Sequence, residues 1–247
     1  MTQRPLAPVR DGATLEERAF QLRDNFVIAL TLATGATDVL AITRLGGVLA
    51  SVMTANLVFL GLAVAERSAS LAGHVAIAIL AFMAGVTLAS RVAGQRREAD
   101  PVWPVRVTRA LTLEVVVAVL LAAGWIAGGG RPAGVLQIAL LVGAAGIMGM
   151  QSGSIAGLGV PGLSSTYMTG TLTNFLAGLV VHRRLERRSA WTLSALIVGA
   201  ASDGALVLLA PDLAPLFPLA VLALVAVLSG RAQAGLGSAP APGARPL

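Results

Sequence analysis

The sequence predicts an all-α fold, a polytopic bundle of transmembrane helices, and three observations support this prediction. The first is composition: 56% of the 247 residues are hydrophobic and 12% are charged, whereas about 25% charged residues are usual in a soluble domain. The second is that apolar runs of roughly 18 or more residues recur along the chain, each long enough to cross a hydrocarbon core of about 30 Å as a helix. The third is that these runs are continuous rather than alternating, which excludes a transmembrane barrel of β-strands.

The elements follow from the hydropathy pattern in chain order. Residues 1–13 carry two Pro and one Gly and are predicted to be disordered, whereas 14–24 mix charged and apolar residues as a short amphipathic helix at the membrane interface does. The tail from Arg231 is rich in Gly, Ala and Pro and is also predicted to be disordered. Between them lie eight apolar segments, at 25–43, 46–65, 71–92, 105–127, 133–152, 163–181, 190–210 and 213–230.

Two of the apolar segments carry the same short phrase. GVLASVMTANLVFLGL (47–62) and GLSSTYMTGTLTNFLAG (162–178) align at an offset of 115 residues, which pairs Met53 with Met168 and Thr54 with Thr169. Such duplicated, Gly-interrupted hydrophobic segments are the best sequence indication of a binding site in transporter-like folds. The chain is therefore divided into an N-terminal segment, a first membrane repeat, a second membrane repeat and a tail, at 1–24, 25–127, 128–230 and 231–247.

Loop arginines predict how often the chain crosses the membrane. Arginines cluster near the N-terminus, at 91–109 and at 182–188, while the linker 128–132 holds one. Short Arg-rich loops stay in the cytoplasm, so three full crossings between successive clusters would put one cluster outside. The duplicated pairs 25–65 and 133–181 are therefore each predicted to cross once, through a discontinuous or re-entrant piece, which gives two inverted repeats. Eight full helices in a parallel four-plus-four repeat are the alternative.

The same arginines predict location and partners. We expect a multi-pass protein of the bacterial cytoplasmic (inner) membrane with both termini in the cytoplasm, and the lipid bilayer as its partner. No removable signal peptide is expected because residues 1–24 hold no apolar core before a cleavage site. The net charge of +6 is carried entirely by Arg in the loops and the ends, so it reflects orientation and not a nucleic-acid partner. Assembly into a homo-oligomer is left open.

Composition and spacing exclude several kinds of chemistry. The chain has no Cys, which excludes disulfides, thiolate metal sites and thiol catalysis. His74 and His182 are far apart and follow no metal-binding spacing, so no metal is predicted. No serine stands with a plausible base, and no nucleotide-binding motif is found. The sequence therefore predicts neither an enzyme nor a cofactor.

Three carboxyl groups lie inside the predicted spans. A carboxylate such as Asp38 costs roughly 2.5–3.5 kcal/mol there on insertion scales, so it should face the bundle interior or water. We interpret it as a proton or cation site; its alternatives are an ion pair with Arg44 and the capping of a broken helix end. Asp203 and Glu114 are the other candidate proton couplers, although Glu114 is expected to extend towards the cytoplasmic arginines.

Polar, mostly uncharged side chains around the repeated phrase complete the predicted substrate site. If the helices of the repeated phrase start inside the membrane, their free N–H groups favour an anionic or carbonyl-bearing ligand. The alternative is that the Thr and Asn side chains only hold helices together by hydrogen bonds. With Asp38, the predicted substrate-binding residues are Thr54, Asn56, Gln151, Thr166, Tyr167, Thr169 and Asn174.

These polar motifs also indicate a family. G-A-x-D followed by M-T-x-N, and G-x-Q followed by T-x-M-T-G-T, resemble the YoaK-like family of uncharacterised bacterial integral membrane proteins over about residues 24–230. The sequence departs from the family pattern at Ala55, where Gly is usual, and at Ser152, where Asn commonly follows the Gln. The resemblance implies an architecture and leaves the function open. It rests on Gly35, Asp38, Met53, Thr54 and Asn56 in the first half and on Gly149, Gln151, Thr166, Tyr167, Thr169 and Gly170 in the second.

Two functions are carried forward from the sequence. The leading hypothesis is a secondary transporter or facilitator for a small polar or anionic solute, with a site at mid-membrane between the two repeats. The second is a non-transporting membrane protein, such as a scaffold, an assembly factor or a sensor. An intramembrane enzyme ranks last because no nucleophile stands with a base.

Overall fold

The protein, seen in a computed structural model that describes residues 14–160, 162–181, 183 and 185–237, is all-helical, which confirms the predicted fold class. Within those residues there is no strand. A 3-10 turn, Pro211–Leu213, joins the last two helices. The helices are α1 (Leu15–Arg44), α2 (Met53–Ala65), α3 (Ala69–Ala93), α4 (Val105–Ala127), α5 (Gly134–Ala156), α6 (Met168–Val181), α7 (Arg187–Leu209) and α8 (Leu216–Gly237).

Six long helices are accompanied by two short ones. Helices α1, α3, α4, α5, α7 and α8 are long and apolar enough to cross a membrane. Helices α2 and α6 have only 13 and 14 residues, and at 1.5 Å per residue they extend about 20 Å, less than the hydrocarbon core of about 30 Å. Each short helix is preceded by irregular backbone inside a predicted apolar segment, in the two regions where a discontinuous or re-entrant piece was predicted.

Helices α1 and α7 lie side by side and run in the same direction. A Cβ added to Gly35 of α1 would overlap the carbonyl oxygen of Leu196 on α7. Further along both helices, the Arg44 guanidinium donates to the carbonyl oxygen of Val207 at 3.4 Å. The backbones are in contact at Gly35 because no side chain separates them there.

Helices α3 and α5 repeat this arrangement. A Cβ added to Gly149 of α5 would overlap the carbonyl oxygen of Phe82 on α3, and further along Gly157 packs against Ala93. Gly149 stands 114 residues after Gly35, and Leu196 stands 114 residues after Phe82. The same parallel helix pair is therefore built twice, from α1 with α7 and from α5 with α3.

A second pair of glycines repeats the match. A Cβ at Gly85 would overlap the carbonyl oxygen of Gly146, and a Cβ at Gly199 would overlap that of Leu32. Gly199 stands 114 residues after Gly85, and Gly146 stands 114 residues after Leu32. In each pair both contacts lie at the same crossing point, where a glycine of each helix is packed against the backbone of the other.

The directions of the remaining long helices follow from their contacts and connections. Helix α4 is antiparallel to α8, because Thr108 bonds Ser229 at 3.1 Å near one end and Trp125 bonds the Pro211 carbonyl oxygen at 2.8 Å near the other. Helix α5 follows α4 after a short turn and reverses direction. Helices α1, α4 and α7 therefore point one way, and α3, α5 and α8 point the other way.

The two ends of the bundle differ in charge. The end at which α1, α4 and α7 begin is called here the arginine-rich end. The opposite end holds three described arginines, Arg44, Arg67 and Arg131. The arginine-rich end holds eleven: Arg18, Arg23, Arg91, Arg96, Arg97, Arg106, Arg109, Arg183, Arg187, Arg188 and Arg231. All the described members of the predicted arginine clusters thus lie at one end.

Hydrogen bonds organise the loop between α3 and α4 at this end. The carboxylate of Asp100 accepts from the backbone N–H of Arg97 at 2.7 Å and from the Arg106 guanidinium at 2.6 Å. The Arg97 N–H and the neighbouring arginine charges hold the pKa of Asp100 below its usual value.

Two terminal predictions differ from the structure. Residues 14–24 do not form a separate helix: α1 runs without a break from Leu15 to Arg44, and Thr14 and Glu17 form a capping box at its start. Residues 231–237, in the predicted tail, are the last part of α8. The predictions of disorder for 1–13 and for the rest of the tail lie outside the described residues.

Candidate functional site

A cavity of about 310 Å³, the central cavity, lies between the first turns of α2 and α6. It reaches Phe82 and Leu196, near the middle of α3 and α7, so it stands at mid-height in the bundle. The described residues that line it are Asp38, Ser51, Val52, Met53, Thr54, Phe82, Ser152, Thr166, Tyr167, Met168, Thr169 and Leu196.

These lining residues are counterparts of one another. Two pairs are 114 residues apart, Asp38 with Ser152 and Phe82 with Leu196. Four more pairs are 115 residues apart: Ser51 with Thr166, Val52 with Tyr167, Met53 with Met168, and Thr54 with Thr169. Every described lining residue thus has its partner in the other half, and the cavity lies where the two halves meet.

In the first half, the Asp38 carboxylate holds the irregular segment before α2 in place through hydrogen bonds. Its Oδ1 accepts from the backbone N–H groups of Ala50 at 2.9 Å and Ser51 at 2.8 Å, and its Oδ2 accepts from the Ser51 hydroxyl at 2.5 Å. The side chain is 9% exposed. Within the described residues Asp38 forms no ion pair with Arg44, and its bonds go to the loop before α2, whose N-cap residue Val52 has no side-chain cap.

On the side of the second half, neutral hydroxyls take the same positions. Ser152 and Thr166 share a hydrogen bond of 2.8 Å between their hydroxyl oxygens. The backbone N–H groups of Thr166 and Tyr167 donate to the Ser164 hydroxyl at 3.1 and 2.8 Å. The backbone geometry is repeated, and the negative charge is not.

Five of the predicted substrate-binding residues meet in the central cavity: Asp38, Thr54, Thr166, Tyr167 and Thr169. Thr54 and Thr169 belong to the first turns of the two short helices and are exposed. Tyr167 is 67% exposed and its ring covers Gly170. This cluster is the described part of the predicted site that the fold brings together.

Asn56 and Gln151 are buried beside the cavity and bond to the protein itself. The Asn56 amide accepts from the Leu49 N–H at 3.0 Å and donates to the Leu49 carbonyl oxygen at 2.7 Å. The Gln151 Nε2 donates to the hydroxyls of Thr34 at 2.8 Å and Ser165 at 2.7 Å. Both amides hold irregular backbone in place, which is the structural alternative to ligand binding.

The remaining predicted residues lie away from the central cavity. Asn174 is exposed and lines a separate cavity near the arginine-rich end. Glu114 and Asp203 are fully buried, and their carboxylate oxygens have no hydrogen-bond partner within the described residues. Glu114 does not extend towards the arginines, because its side chain is enclosed in the core between helices.

Several lining residues were missed by sequence reasoning. Ser51 and Ser152 would have followed from the repeat, since they are the counterparts of Thr166 and Asp38. Phe82 and Leu196 carry no chemical signal of their own. Only the glycine spacing on α3 and α7 would have aligned them.

The cavity combines hydrogen-bond donors with one acceptor that carries charge. Helices α2 and α6 both begin at it, so the free N–H groups and the positive dipole ends of two helices are close by. Asp38 is the only Asp, Glu, Arg or His among the described lining residues. In the described part of the chain, no three His, Cys, Asp or Glu side chains are grouped to hold a metal ion. Chemically, the site can hold a small polar molecule through hydroxyl and amide groups.

Comparison with known proteins gives a family and a transmembrane relative. The sequence profile of the family described as "Protein of unknown function (DUF1275)" matches residues 26–228. The chain is 32% identical to the "UPF0700 transmembrane protein YoaK" of Bacillus subtilis (strain 168) over 154 residues, which are 62% of this chain and 66% of that protein. The match thus covers slightly less than two thirds of the relative. No solved structure matches the chain.

Proposed function

The chain belongs to this family of transmembrane proteins of unknown function, and we propose that it is a secondary transporter or facilitator for a small polar or anionic solute. The observation that supports this most is the central cavity itself, because its described lining consists of counterparts from both halves. Sites of secondary transporters are typically formed by broken helices at a repeat interface. This is an analogy between architectures, and activity has to be measured.

Inverted repeats are part of the proposal. In the first half, α1 and α4 point away from the arginine-rich end and α3 points towards it. In the second half the order is reversed: α5 and α8 point towards that end and α7 points away from it. The reciprocal contacts of Gly35 with Leu196 and of Gly149 with Phe82 support an axis of pseudo-symmetry between the halves. In this arrangement α2 enters the membrane from the end opposite the arginines, and α6 enters from the arginine-rich end.

Orientation follows from the charge difference between the ends. With the arginine-rich end in the cytoplasm, both described chain ends face the cytoplasm, and the membrane is the bacterial inner membrane. Single cysteines in this Cys-free chain test the orientation: Glu98→Cys is expected to react from the cytoplasmic face and Ser68→Cys from the other. The reverse result would overturn it.

Asp38 decides which solutes are compatible with the site. A neutral polar solute can donate a hydrogen bond to the carboxylate and accept from the threonine hydroxyls. An anion in the same space would be repelled by an ionised Asp38, so its binding requires a proton on that group and couples uptake to protons. Asp203 and Glu114 lie outside the cavity and would act only as relay groups.

A non-transporting role, as a scaffold, an assembly factor or a sensor, is the second candidate. The observation that favours it is that Asp38, Asn56 and Gln151 all bond to the protein itself. In this case the polar groups only stabilise the two irregular segments before α2 and α6.

Proteoliposomes separate the two candidates. Uptake, exchange and ligand-dependent thermal stabilisation are measured over a panel of small neutral, zwitterionic and anionic solutes. For a solute that binds, Asp38→Asn and Thr54→Val should reduce uptake at least about tenfold, the effect of about 1.4 kcal/mol of lost binding. Asp212→Asn and Thr87→Val are matched controls outside the cavity. If no solute on the panel is taken up, exchanged or stabilising, transport is rejected.

A further inference from the structure

A second polar cavity opens near the arginine-rich end. It has a volume of about 290 Å³ and lies between α1, α6, α7 and the segment 162–164. We call it the vestibule. Polar and charged side chains dominate its lining, among them Asp24, Asn174, Glu186, Arg188, Ser189 and Thr192.

The corresponding space at the opposite end of the bundle is filled. The repeat offsets place Phe59, Val75 and Ala78 where the vestibule has Asn174, Ser189 and Thr192. Val75 and Ala78 are fully buried, and Phe59 packs against the core. Ser189 and Thr192 are themselves only 5% exposed, so the two ends differ in the polarity of these side chains: the vestibule has hydroxyl and amide groups, and the opposite end has a packed apolar seam.

Two more contacts close that opposite end. The imidazole of His74, the counterpart of Arg188, lies against Gly46 at a position that leaves no space for a Cβ. The Asn56 amide fastens Leu49 to the first turn of α2 through two hydrogen bonds. The counterpart of Asn56 is Thr171, whose hydroxyl donates to the Tyr167 carbonyl oxygen of its own segment. Helix α2 is thus fastened to its preceding loop, and within the described residues α6 has no such bond.

The vestibule and the central cavity are adjacent along two segments. Thr192 of the vestibule is one helical turn from Leu196 of the central cavity on α7. Ser165 stands in the chain between Ser164 of the vestibule and Thr166 of the central cavity, and Gln151 bonds it to Thr34 of α1. The Gln151 Oε1 is buried and has no partner within the described residues, and an unpaired buried acceptor is ordinarily satisfied by water or by a donor from a ligand.

We infer that solute reaches the central cavity from the arginine-rich end, through the vestibule, and that the hydrogen bond between Gln151 and Ser165 is the gate on this path. The inference rests on the proposed function for the claim that a solute is transported, and it adds the route that the solute takes and the bond that gates it. At the opposite end the apolar seam of Phe59, Val75 and Ala78 keeps the central cavity closed. In this conformation the gate bond is formed, so the path is open from the arginine-rich end as far as the vestibule and closed beyond it.

Cysteine reactivity measures access without any knowledge of the solute. Asn174→Cys and Ser189→Cys are compared with their counterparts Phe59→Cys and Val75→Cys, using a charged methanethiosulfonate reagent. Vesicles of defined orientation are used, with Glu98→Cys and Ser68→Cys as markers for the two faces. The vestibule pair should react from the arginine-rich face at least tenfold faster than the counterpart pair reacts from either face. Equal rates, or faster reaction at Phe59→Cys and Val75→Cys, overturn the inference.

The gate is tested by a reporter inside the central cavity. Ser51→Cys, at a buried position in the lining, is expected to react slowly from the arginine-rich face. A second substitution, Ser165→Ala, should raise that rate several-fold because Gln151 loses its bond to the loop. Gln151→Leu is the second way to break the bond, in case one of the variants does not fold. Thr87→Val, on α3 and in the lining of neither cavity, is the control. An unchanged rate in both folded gate variants rejects the gate.

The labelling results and the transport results fail independently. If the vestibule reacts as expected and no solute is transported, the path exists and the proposed function is wrong. If a solute is transported and the two ends react equally, the proposed function stands and the one-sided path is wrong.

Discussion

The two halves of the central cavity have the same construction and differ in charge. In the first half, the Asp38 carboxylate accepts three hydrogen bonds from Ala50 and Ser51. In the second half, the hydroxyls of Ser152 and Thr166 meet at the same positions with a single bond of 2.8 Å. The comparison shows that residues at corresponding positions line the same cavity with different side chains and different hydrogen bonds.

This divergence extends to how firmly each short helix is held. Asn56 fastens α2 to the loop before it, and Thr171 at the corresponding position of α6 does not bond to Ser164. We call the lining residues that each half contributes to the central cavity a half-site. The first half-site is charged and its helix α2 is bonded to the preceding loop; the second is neutral and lies next to the vestibule. These few substitutions make the two sides of the cavity structurally different.

The largest expected difference between the half-sites is in stability. Asp38→Ala leaves two backbone N–H groups and a hydroxyl without their acceptor, so we expect a loss of about 3–5 kcal/mol in the free energy of unfolding. Ser152→Ala removes one neutral bond and should cost about 1 kcal/mol. Thermal unfolding in detergent measures both variants. Similar losses would show that the charge of Asp38 has no special part in holding the loop.

The glycine contacts test whether the repeat is symmetric in its backbone. Gly35→Ala and Gly149→Ala both place a methyl group against a backbone carbonyl oxygen, so each should destabilise the protein by about 2–3 kcal/mol. Gly73→Ala is the control on α3, because a Cβ there meets no atom within 4 Å, and it should be neutral or slightly stabilising. A large cost at only one of the two glycines would contradict the pseudo-symmetry.

The anchoring of the short helices predicts a smaller effect. Asn56→Ala leaves the N–H and the carbonyl oxygen of Leu49 unpaired in a buried place and should cost about 1.5–2 kcal/mol. Thr171→Ala, its counterpart, should cost about 0.5 kcal/mol because it removes only a bond within α6 and the residue before it. Proteolysis at limiting protease concentration compares the local opening of the two segments. Greater opening in Thr171→Ala than in Asn56→Ala would reverse the assignment of the anchored half.

The smallest effect lies outside the half-sites and sets the baseline for their pH dependence. The pKa of Asp100 is held below its ordinary value near 3.8 by the Arg97 N–H and by neighbouring arginine charges. Its contribution to stability is therefore complete above that ordinary value and is lost as the pH falls through the lower folded value. Unfolding midpoints of the protein and of Asp100→Asn should converge in this acidic range. A difference that instead grows on acidification would contradict the predicted sign.

Prediction from sequence succeeded best where composition and charge decide the outcome. The apolar runs predicted the six long helices, and the repeated Met-Thr phrase predicted that Thr54 and Thr169 would meet across one site. Prediction from sequence was weaker for the question of which groups a polar side chain bonds to. Asn56 and Gln151 were assigned to the substrate, and the structure shows their amides bonded to backbone and hydroxyl groups of the protein, because which acceptor an amide meets depends on helices far away in the sequence.

The sequence by itself determined that this is a helical membrane protein, that its arginines cluster in a few short segments, and that a phrase is repeated, because hydropathy, charge and periodicity are local properties. Only the tertiary structure decided that both short helices begin at one cavity and that Asp38 and Ser152 line it together. It also decided that the corresponding spaces at the two ends are open at Asn174 and packed at Phe59. These facts depend on backbone contacts at glycines such as Gly35 and Gly149, and the close approach of two helices is a relation that neither segment carries alone.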